Sequence, residues 1–492
     1  MNIEVQITED YMSAYILVRL EEGETVSRLT EKELYTALDN KGVNTGIGSN
    51  AIRQIISSQI YNQSVCIANG IPPKVGEDAR VEIIKKPKKK QDIIALTMSD
   101  GKVDYYSPRE GFLVYARKDE VLAVKYPPTR GEPGKNVLGR MIPGRLGKEI
   151  SLDLFSGKNT TITDDKIVAE TDGIIKLEGL QISVLNEYEI KDNVGKNTGS
   201  IELPLDLNCK LVIKGDVQRG YKTSCSDLFV SGCVEDADVT VKNLTVKEGI
   251  VGIGEKKVIA ENINVGYING LREVYANTIF VLREISNGAK IYSNVVKAYA
   301  IQGSTVIARD AIWAEYVNGK NYITVGIDYR EKLKYDELSN KILAMENPMN
   351  ELKELDLLNA KKMKKLVELA RVNPKHPLLQ QELPKIREAK EKLDNFLNIR
   401  IELIRKREEI AQKIYSKSEP FLFVRSKFSK DNSSGYIVEP NTTLILRESS
   451  MRITEIMEGG LFTTNPHGIA HSFRYNIKEI KSQFDKYVEA SE

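Results

Sequence analysis

Short apolar triplets recur along the middle of the chain at a nearly fixed interval. They are Leu211-Val212-Ile213, Leu228-Phe229-Val230, Leu244-Thr245-Val246, Ile263-Asn264-Val265, Ile279-Phe280-Val281, Val296-Lys297-Ala298 and Ile312-Trp313-Ala314. Their first residues stand 17, 16, 19, 16, 17 and 16 positions apart. A further aliphatic residue comes five or six positions after the first residue of each triplet: Val217, Val234, Ile250, Ile268, Ile285, Ile301 and Val317. Most triplets are preceded by a strand-like pair ending in a small residue, namely Thr223/Cys225, Val258/Ala260, Val274/Ala276, Ile291/Ser293 and Val306/Ala308. A unit this short cannot bury its own apolar face, whereas stacked units share one continuous core. Side chains alternate along a strand, so Leu228 and Val230 turn inward, Phe229 turns outward, and later turns repeat the phase. The pattern predicts a parallel β-helix over residues 211–327. At ~4.8 Å per turn it is a prism on the order of 30 Å long. Gly215, Gly220, Gly232, Gly249 and Gly270 fall between strands, where corners need positive φ or close backbone approach. The regular phase argues against a sandwich of short strands, and the filled core argues against a pocket-based enzyme.

The flanks have different patterns. Residues 1–84 read as an N-terminal α+β domain. Thr30 and Glu33 form a capping box at the start of one helix. A second helix over 50–61 puts Ile52, Ile55, Ile56 and Ile60 on one face, and a strand over 64–68 and a turn over 70–73 follow. Lys85-Lys86-Pro87-Lys88-Lys89-Lys90 opens a basic linker, 85–92, of the kind that is usually solvated. Residues 93–210 are glycine-punctuated, with a long turn over 127–139 and short strands around Ile162, 167–169, 174–177 and 182–185. They are expected to lead into the β-helix and cover its open end. From 328 to 418 the chain turns to helix formers and charge. Leu333, Leu338, Ile342 and Met345 precede a break at Asn347-Pro348, and Leu352, Leu355, Leu358, Leu366 and Leu369 continue the stripe. Asn373-Pro374-Lys375-His376-Pro377 makes a turn. A second helix with Leu393, Phe396, Leu397, Leu403, Ile404, Ile410 and Ile414 runs to about residue 416. This segment reads as an antiparallel coiled-coil hairpin inserted between β-helix turns. Strands over 421–424, 436–438 and 443–446 then return to the β-helix, and 419–492 ends in a tail. The expected fold is mainly β with α: a right-handed parallel β-helix with an N-terminal α+β domain and a C-terminal coiled-coil hairpin.

Composition narrows the context. The 492 residues carry 71 Lys+Arg against 69 Asp+Glu, so no global charge calls for nucleic acid or an anionic membrane. The opening residues lack the basic start and apolar stretch of a secretory leader, and no apolar run reaches the ~20 residues that cross a bilayer. Four cysteines make no disulfide framework. Cys209, Cys225 and Cys233 read as small buried hydrophobes. A reducing cytoplasm is the expected compartment.

Candidate chemistry is sparse. Gly131-Glu132-Pro133-Gly134-Lys135-Asn136 has the look of a phosphate loop, but Thr129 and Asn136 occupy positions where a P-loop needs glycine and Ser/Thr. Gly249-Ile250-Val251-Gly252-Ile253-Gly254 and Gly46-Ile47-Gly48 lack a strand–turn–helix setting and read as bends. His467 and His471 would share a helical face for a metal, but they follow Asn465-Pro466 and flank Gly468, so a loop is expected and no third ligand is close. The outward positions Phe229, Thr245, Asn264, Phe280, Lys297 and Trp313 show no acidic ladder of the kind a polysaccharide-cleaving β-helix uses. No catalytic, cofactor-binding or metal-ligating residue is therefore assigned.

Several runs together resemble one family. They are Ala68-Asn69-Gly70-Ile71-Pro72-Pro73-Lys74-Val75-Gly76-Glu77-Asp78, Lys102-Val103-Asp104-Tyr105, the glycines from 131 to 139, and Ala169-Glu170-Thr171-Asp172-Gly173. Val212-Ile213-Lys214-Gly215-Asp216-Val217 and Val230-Ser231-Gly232-Cys233-Val234-Glu235-Asp236-Ala237 complete the ordered series, which resembles the flagellar assembly protein A (FapA) family over most of residues 1–330. The resemblance implies a β-helix flanked by an N-terminal domain and a coiled coil, a role in bacterial flagellar assembly, and no established catalytic residues. Asn243, Asn262, Asn277 and Asn294 stand near corners where the family usually has glycine, and asparagine tolerates left-handed backbone. Glu439-Pro440-Asn441 replaces the family's glycine turn. The expectation is a non-enzymatic cytoplasmic scaffold or interaction factor. Its partners are proteins that engage the coiled coil or the N-terminal domain, with homo-oligomerisation open and neither nucleic acid nor membrane insertion expected. Two alternatives stay open: a β-helix enzyme acting on a polysaccharide-like polymer, and a nucleic-acid-associated factor using the basic run 85–90.

Overall fold

The computed structural model describes residues 2–20, 29–88, 95–425, 438, 441–455, 457, 459–472 and 475–491. The chain forms two compact units, Met1–Pro87 with Val114–Leu185 and Lys88–Leu113 with Asn186–Glu492.

In the first unit, Asn2–Ile7, Ser13–Arg19 and Ser64–Asn69 form an antiparallel sheet. Helix α1 (Glu31–Asn40) opens on the expected capping box. The Thr30 hydroxyl accepts from the Glu33 amide at 3.4 Å, and the Thr30 amide donates to the Glu33 carboxylate at 2.9 Å. Helix α2 (Ser49–Ser57) is shorter than its reading, because Gln59 takes a left-handed φ of 46° and leaves Ile60 beyond the helix. Ile52 and Ile55 still reach the core beside Leu34, Leu38 and Ile67. A second antiparallel sheet has the order Thr160–Thr163, Lys166–Ala169, Val121–Tyr126, Arg80–Ile83. Val121–Tyr126 thus joins residue 80 to residue 169 within one unit. The stretch 93–210, read as a single lead-in, is divided accordingly: 114–185 lie here, and its remaining described residues lie in the second unit.

The second unit is a parallel β-helix with three stacks of strands. On its first side Glu187–Ile190, Lys210–Ile213, 227–230, 243–246, 262–265, 278–281, 295–298, 311–314 and Phe421–Val424 pair in parallel, each with the next. The seven apolar triplets therefore lie in register, with one rung before them and one after. A second side stacks from Ile201–Glu202 to Thr443–Leu446. A third stacks Val194, Val217, Val234, Ile250, Ile268, Ile285, Ile301, Val317 and Val438. The inward phase holds: Leu228, Val230, Val265 and Val281 are buried, while Asn264 and Lys297 are exposed and Phe229 is half-buried. Each buried Val, Leu or Ile contributes roughly 1.5–3 kcal/mol.

The corner asparagines depart from expectation. None of Asn243, Asn262, Asn277 and Asn294 has positive φ. Asn262 instead donates to the Asn243 side-chain oxygen at 3.0 Å, Asn243 donates to Asp227 at 2.8 Å, and Thr278 donates to Asn262 at 2.6 Å. Successive turns lie one strand spacing apart, so side-chain amides can bond along the axis. The four cysteines are free, and Cys233 is half-buried rather than buried, with its sulfur 3.7 Å from the Tyr267 hydroxyl.

Among the described residues the β-helix is interrupted once by helices. The chain leaves after Tyr322–Val325 and returns at Phe421–Val424, and between them run α3 (Tyr329–Ala344), α4 (Glu346–Val372) and α5 (Pro377–Ile414). The break falls at Met345, and Pro348 sits in the first turn of α4, where its missing N–H is not needed. The turn at 373–376 is held by Asn373, which accepts from the Lys375 amide, and by the His376 ring, which caps α5. Within α3 and α4 the covered column is Leu338, Ile342, Met345, Met349, Leu352, Asp356, Asn359, Leu366 and Ala370. Leu333, Leu355 and Leu358, read as part of the stripe, are exposed.

Beyond the last rung the pairing turns antiparallel. Ser449–Arg452 pairs with Thr443–Leu446, Gly460–Asn465 with Phe421–Val424, and Gly468–Ser472 with Gly460–Asn465. These hairpins occupy the last edges of the stack. Of the strand expected over 436–438, only Val438 lies within the described residues, where it bridges Val317. A helix the sequence reading did not include, α6 (Ile477–Glu489), packs on the outer face.

Candidate interaction surface

The helical insertion is fastened to the β-helix at a narrow root. Gly326 takes φ +96°, and a Cβ there would stand 2.8 Å from the Arg447 side chain and 2.9 Å from Pro420, so the exit needs glycine. The Asp328 amide donates to the Ile414 carbonyl at 2.6 Å and the Ser416 amide to the Gly326 carbonyl at 2.9 Å, which brings the outgoing and returning strands together. Asp328 caps α3 through the Arg330 and Glu331 amides. Asp310, buried on the β-helix, accepts from the Ser416 hydroxyl at 2.7 Å and pairs with Arg309 at 2.7 Å. Arg447 donates to the Ser416 and Ser418 carbonyls at 3.2 and 2.8 Å. Polar groups paired across the root fix its orientation, since a shift would unpair them.

An aromatic column continues from the β-helix into the root. Tyr275 and Tyr292 are register partners on neighbouring turns and stack at 4.8 Å. Tyr329, the first residue of α3, stacks on Tyr292 at 3.8 Å. Burial raises both the Tyr275 and Tyr292 phenols, with Glu273 and Tyr329 adding to the effect. Away from the root, α4 and α5 pack chiefly on each other. Lys362 approaches Glu382 at 3.9 Å near the turn, and Arg407 lies 5.8 Å over the Tyr335 ring nearer the root.

A second surface lies beside α6. Trp313 points outward as its phase requires, yet it is buried, because Phe484 of α6 and Phe423 meet its ring edge-on at 5.7 and 4.6 Å. Next to this contact an open groove of about 600 Å³ runs past Phe280, Leu282 and Tyr299. The signal for α6 was present in the sequence as Ile480, Phe484 and Val488 at helical spacing behind Asn476, which caps through the Lys478 amide.

The residues weighed for chemistry fall in structural settings. Gly131 and Gly134 lie where the backbone of residues 71–74 passes too close for a Cβ, and Gly134–Lys135 is a strand paired with Met141–Ile142. Gly252 and Gly254 make room for the Asp236 carboxylate, which faces the buried Arg272. Gly46 passes against the Asn69 backbone. His471 stacks on Phe462 within the final hairpin, while His467 sits in its turn, so the two do not converge. Lys85 pairs with Glu120, and Lys88 pairs with Glu110 at 2.9 Å; Lys89 and Lys90 lie outside the described residues. Among the described residues no cluster of His, Cys, Asp or Glu is arranged to hold a metal, and no helix is long and apolar enough to cross a membrane.

One pairing was not anticipated. Stacking of Val217 on Val234 brings Asp216 and Glu235 onto neighbouring turns, where Asp216 accepts from the Cys233 amide at 2.7 Å. Partial burial, and then the Asp216 charge, push the Glu235 carboxyl above its ordinary range. Both residues lie in the runs that carried the family resemblance.

No curated protein and no solved structure matches the chain. The Flagellar Assembly Protein A N-terminal region matches residues 3–179, and the Flagellar Assembly Protein A beta solenoid domain matches residues 186–467. The two matches span nearly the whole chain and meet between the two structural units, so the chain belongs to the flagellar assembly protein A family.

Proposed function

We propose that this protein is a non-enzymatic cytoplasmic scaffold in flagellar assembly. In this reading the right-handed β-helix is a rigid body, and the insertion at 328–418 is an antiparallel coiled-coil hairpin that acts as a separate module and docks protein partners. The N-terminal α+β region supplies a further partner surface, and self-association through either element is compatible with the role. The observation that carries the reading is the root of the insertion. A flexible tether would not need Asp310, Ser416 and Arg447 to interlock or Tyr329 to join a tyrosine stack. Such an anchor supports an element held in fixed orientation, as a docking arm requires. The covered residues of α5 recur at alternating three- and four-residue steps from Leu379 to Ile414, and those of α4 do so from Met349 to Asn359 before skipping the exposed Met363, which supports a coiled coil.

The test is affinity capture from the native host with the full chain and with a chain lacking residues 330–413. Asp328 and Ile414 already touch, so a short linker closes the gap without strain. The reading predicts specific proteins captured by the full chain and lost with the deletion. Identical capture by both chains overturns it.

A further inference from the structure

The charge of this protein is unevenly placed. Residues 361–388, the distal ends of α4 and α5 with their turn, hold eight Lys or Arg against three Glu, a local charge of +5. The chain as a whole is +2, so everything outside this tip sums to −3. Lys361, Lys364, Lys365, Arg371, Lys375 and Arg387 are all exposed. At the apex stand two exposed aliphatic residues, Val372 at 88% and Leu378 at 48% exposure, either side of the Asn373–His376 turn. Helix α5 has 38 residues, about 57 Å at 1.5 Å per residue, so the apex lies far from the root at its other end.

We infer that this tip binds the surface of an anionic lipid bilayer. The inference rests on the reading of the helical pair as the contact element and names the surface it reaches. A stable protein interface needs about 800 Å² on each side, with a shaped and largely apolar centre. An open groove of about 450 Å³ runs past Pro374, Leu379, Leu383 and Pro384 beside the apex, but none of the lysines of the tip lines it, so a partner seated there would leave those lysines unused. A bilayer requires no shape complementarity. It attracts clustered lysines through its surface potential and accepts one or two aliphatic side chains at the headgroup boundary. The cations and aliphatics of the tip match those two requirements, and no segment long enough to span is involved.

The experiment is co-sedimentation of the full chain with two kinds of vesicle: phosphatidylcholine alone, and phosphatidylcholine with phosphatidylglycerol. The protein should sediment with the anionic vesicles only. Binding should fall steeply between about 0.1 M and 1 M salt, as the Debye length shrinks from ~10 to ~3 Å. Each lysine near an anionic surface is worth about fivefold in partition. Lys375 stands at the apex, and Lys364 and Lys365 stand about 10–12 Å up α4, close to one Debye length at about 0.1 M salt; the Lys364→Gln/Lys365→Gln/Lys375→Gln variant should therefore bind between about fivefold and about a hundredfold more weakly. Val372→Ser/Leu378→Ser should weaken binding and leave its salt dependence intact. All five positions are exposed, so unchanged circular dichroism is expected and confirms folding. Equal sedimentation with both vesicle types, none with either, or an unaffected triple-lysine variant overturns the inference. Capture on polyglutamate without vesicle binding assigns the tip to an acidic protein and overturns it as well. If vesicle binding fails while residues 330–413 are still needed for protein capture, the scaffold reading stands and this inference alone falls.

Discussion

Arg272 offers a sharp test of how the β-helix is held at its corners. Its side chain is 0% exposed, and its guanidinium lies 3.2 Å from the Asp236 carboxylate and 2.7 Å from the Ala237 carbonyl. Asp236 also accepts from the Gly254 amide at 2.9 Å. Burial disfavours its charge, but the Gly254 and Ile253 amides and the Arg272 and Arg219 guanidinium groups outweigh it, so its carboxyl stays below the ordinary range. Arg272→Met keeps most of the volume and removes the counter-charge, leaving Asp236 buried and less compensated. Breaking a buried pair in this way costs about 3–5 kcal/mol, whereas replacing both partners costs much less. Asp236→Asn/Arg272→Met should therefore be more stable than Arg272→Met alone. The pH dependence has a definite sign. A carboxyl with a lowered folded pKa contributes stability above its unfolded pKa, and that contribution is lost as pH falls through the folded value. In Arg272→Met the Asp236 pKa rises, so the deficit relative to wild type should be largest near neutrality and shrink as pH approaches ~4. Denaturant unfolding followed by circular dichroism at the two pH values measures it. Equal stability of Arg272→Met and wild type, or a double variant weaker than the single one, would refute the argument.

Two other perturbations test the phase of the stack and the chemistry of its surface. Val265→Asp places an unpaired charge inside the column and should cost several kcal/mol, while Asn264→Asp, one residue away and exposed, should change thermal stability by less than about 0.5 kcal/mol; equal melting of the two would reject the assignment of inside and outside. Glu235→Gln removes the carboxyl raised by burial and by Asp216; a scaffold should still complement a deletion strain fully, and loss of complementation by this folded variant would replace the scaffold with an enzyme.

The β-helix was legible because one physical requirement repeats. Every turn must supply the same inward residues, and the intervals from Leu211 to Ile312 record that directly. The rung at Glu187–Ile190 was harder to see, because it lies outside the regular interval. Phe421–Val424 was read as returning to the β-helix across the whole helical insertion, and it pairs in parallel with residues 311–314. The covered face of α4 was misjudged at Leu355 and Leu358, since leucine spacing alone does not distinguish the covered column from the side that faces solvent; Asp356 and Asn359 are more covered than either leucine. Trp313 was placed outward correctly, but an outward residue is not always an exposed one, and α6 supplies its cover. The corner asparagines were read through backbone conformation, but none takes a positive φ, and the side chains of Asn243 and Asn262 bond along the axis instead. The anchoring root was invisible for a simpler reason: Asp310, Ser416 and Arg447 are far apart in sequence and meet only when the insertion closes.

In the proposed function the β-helix carries the helical insertion as its working surface. The most direct measurement is motility of a strain deleted for this gene and complemented with the chain lacking residues 330–413, after circular dichroism has shown that chain to be folded, β-rich and depleted of helix. The shortened chain should accumulate to normal levels and fail to restore motility, while the full chain restores it. Full motility with the shortened chain would contradict the account.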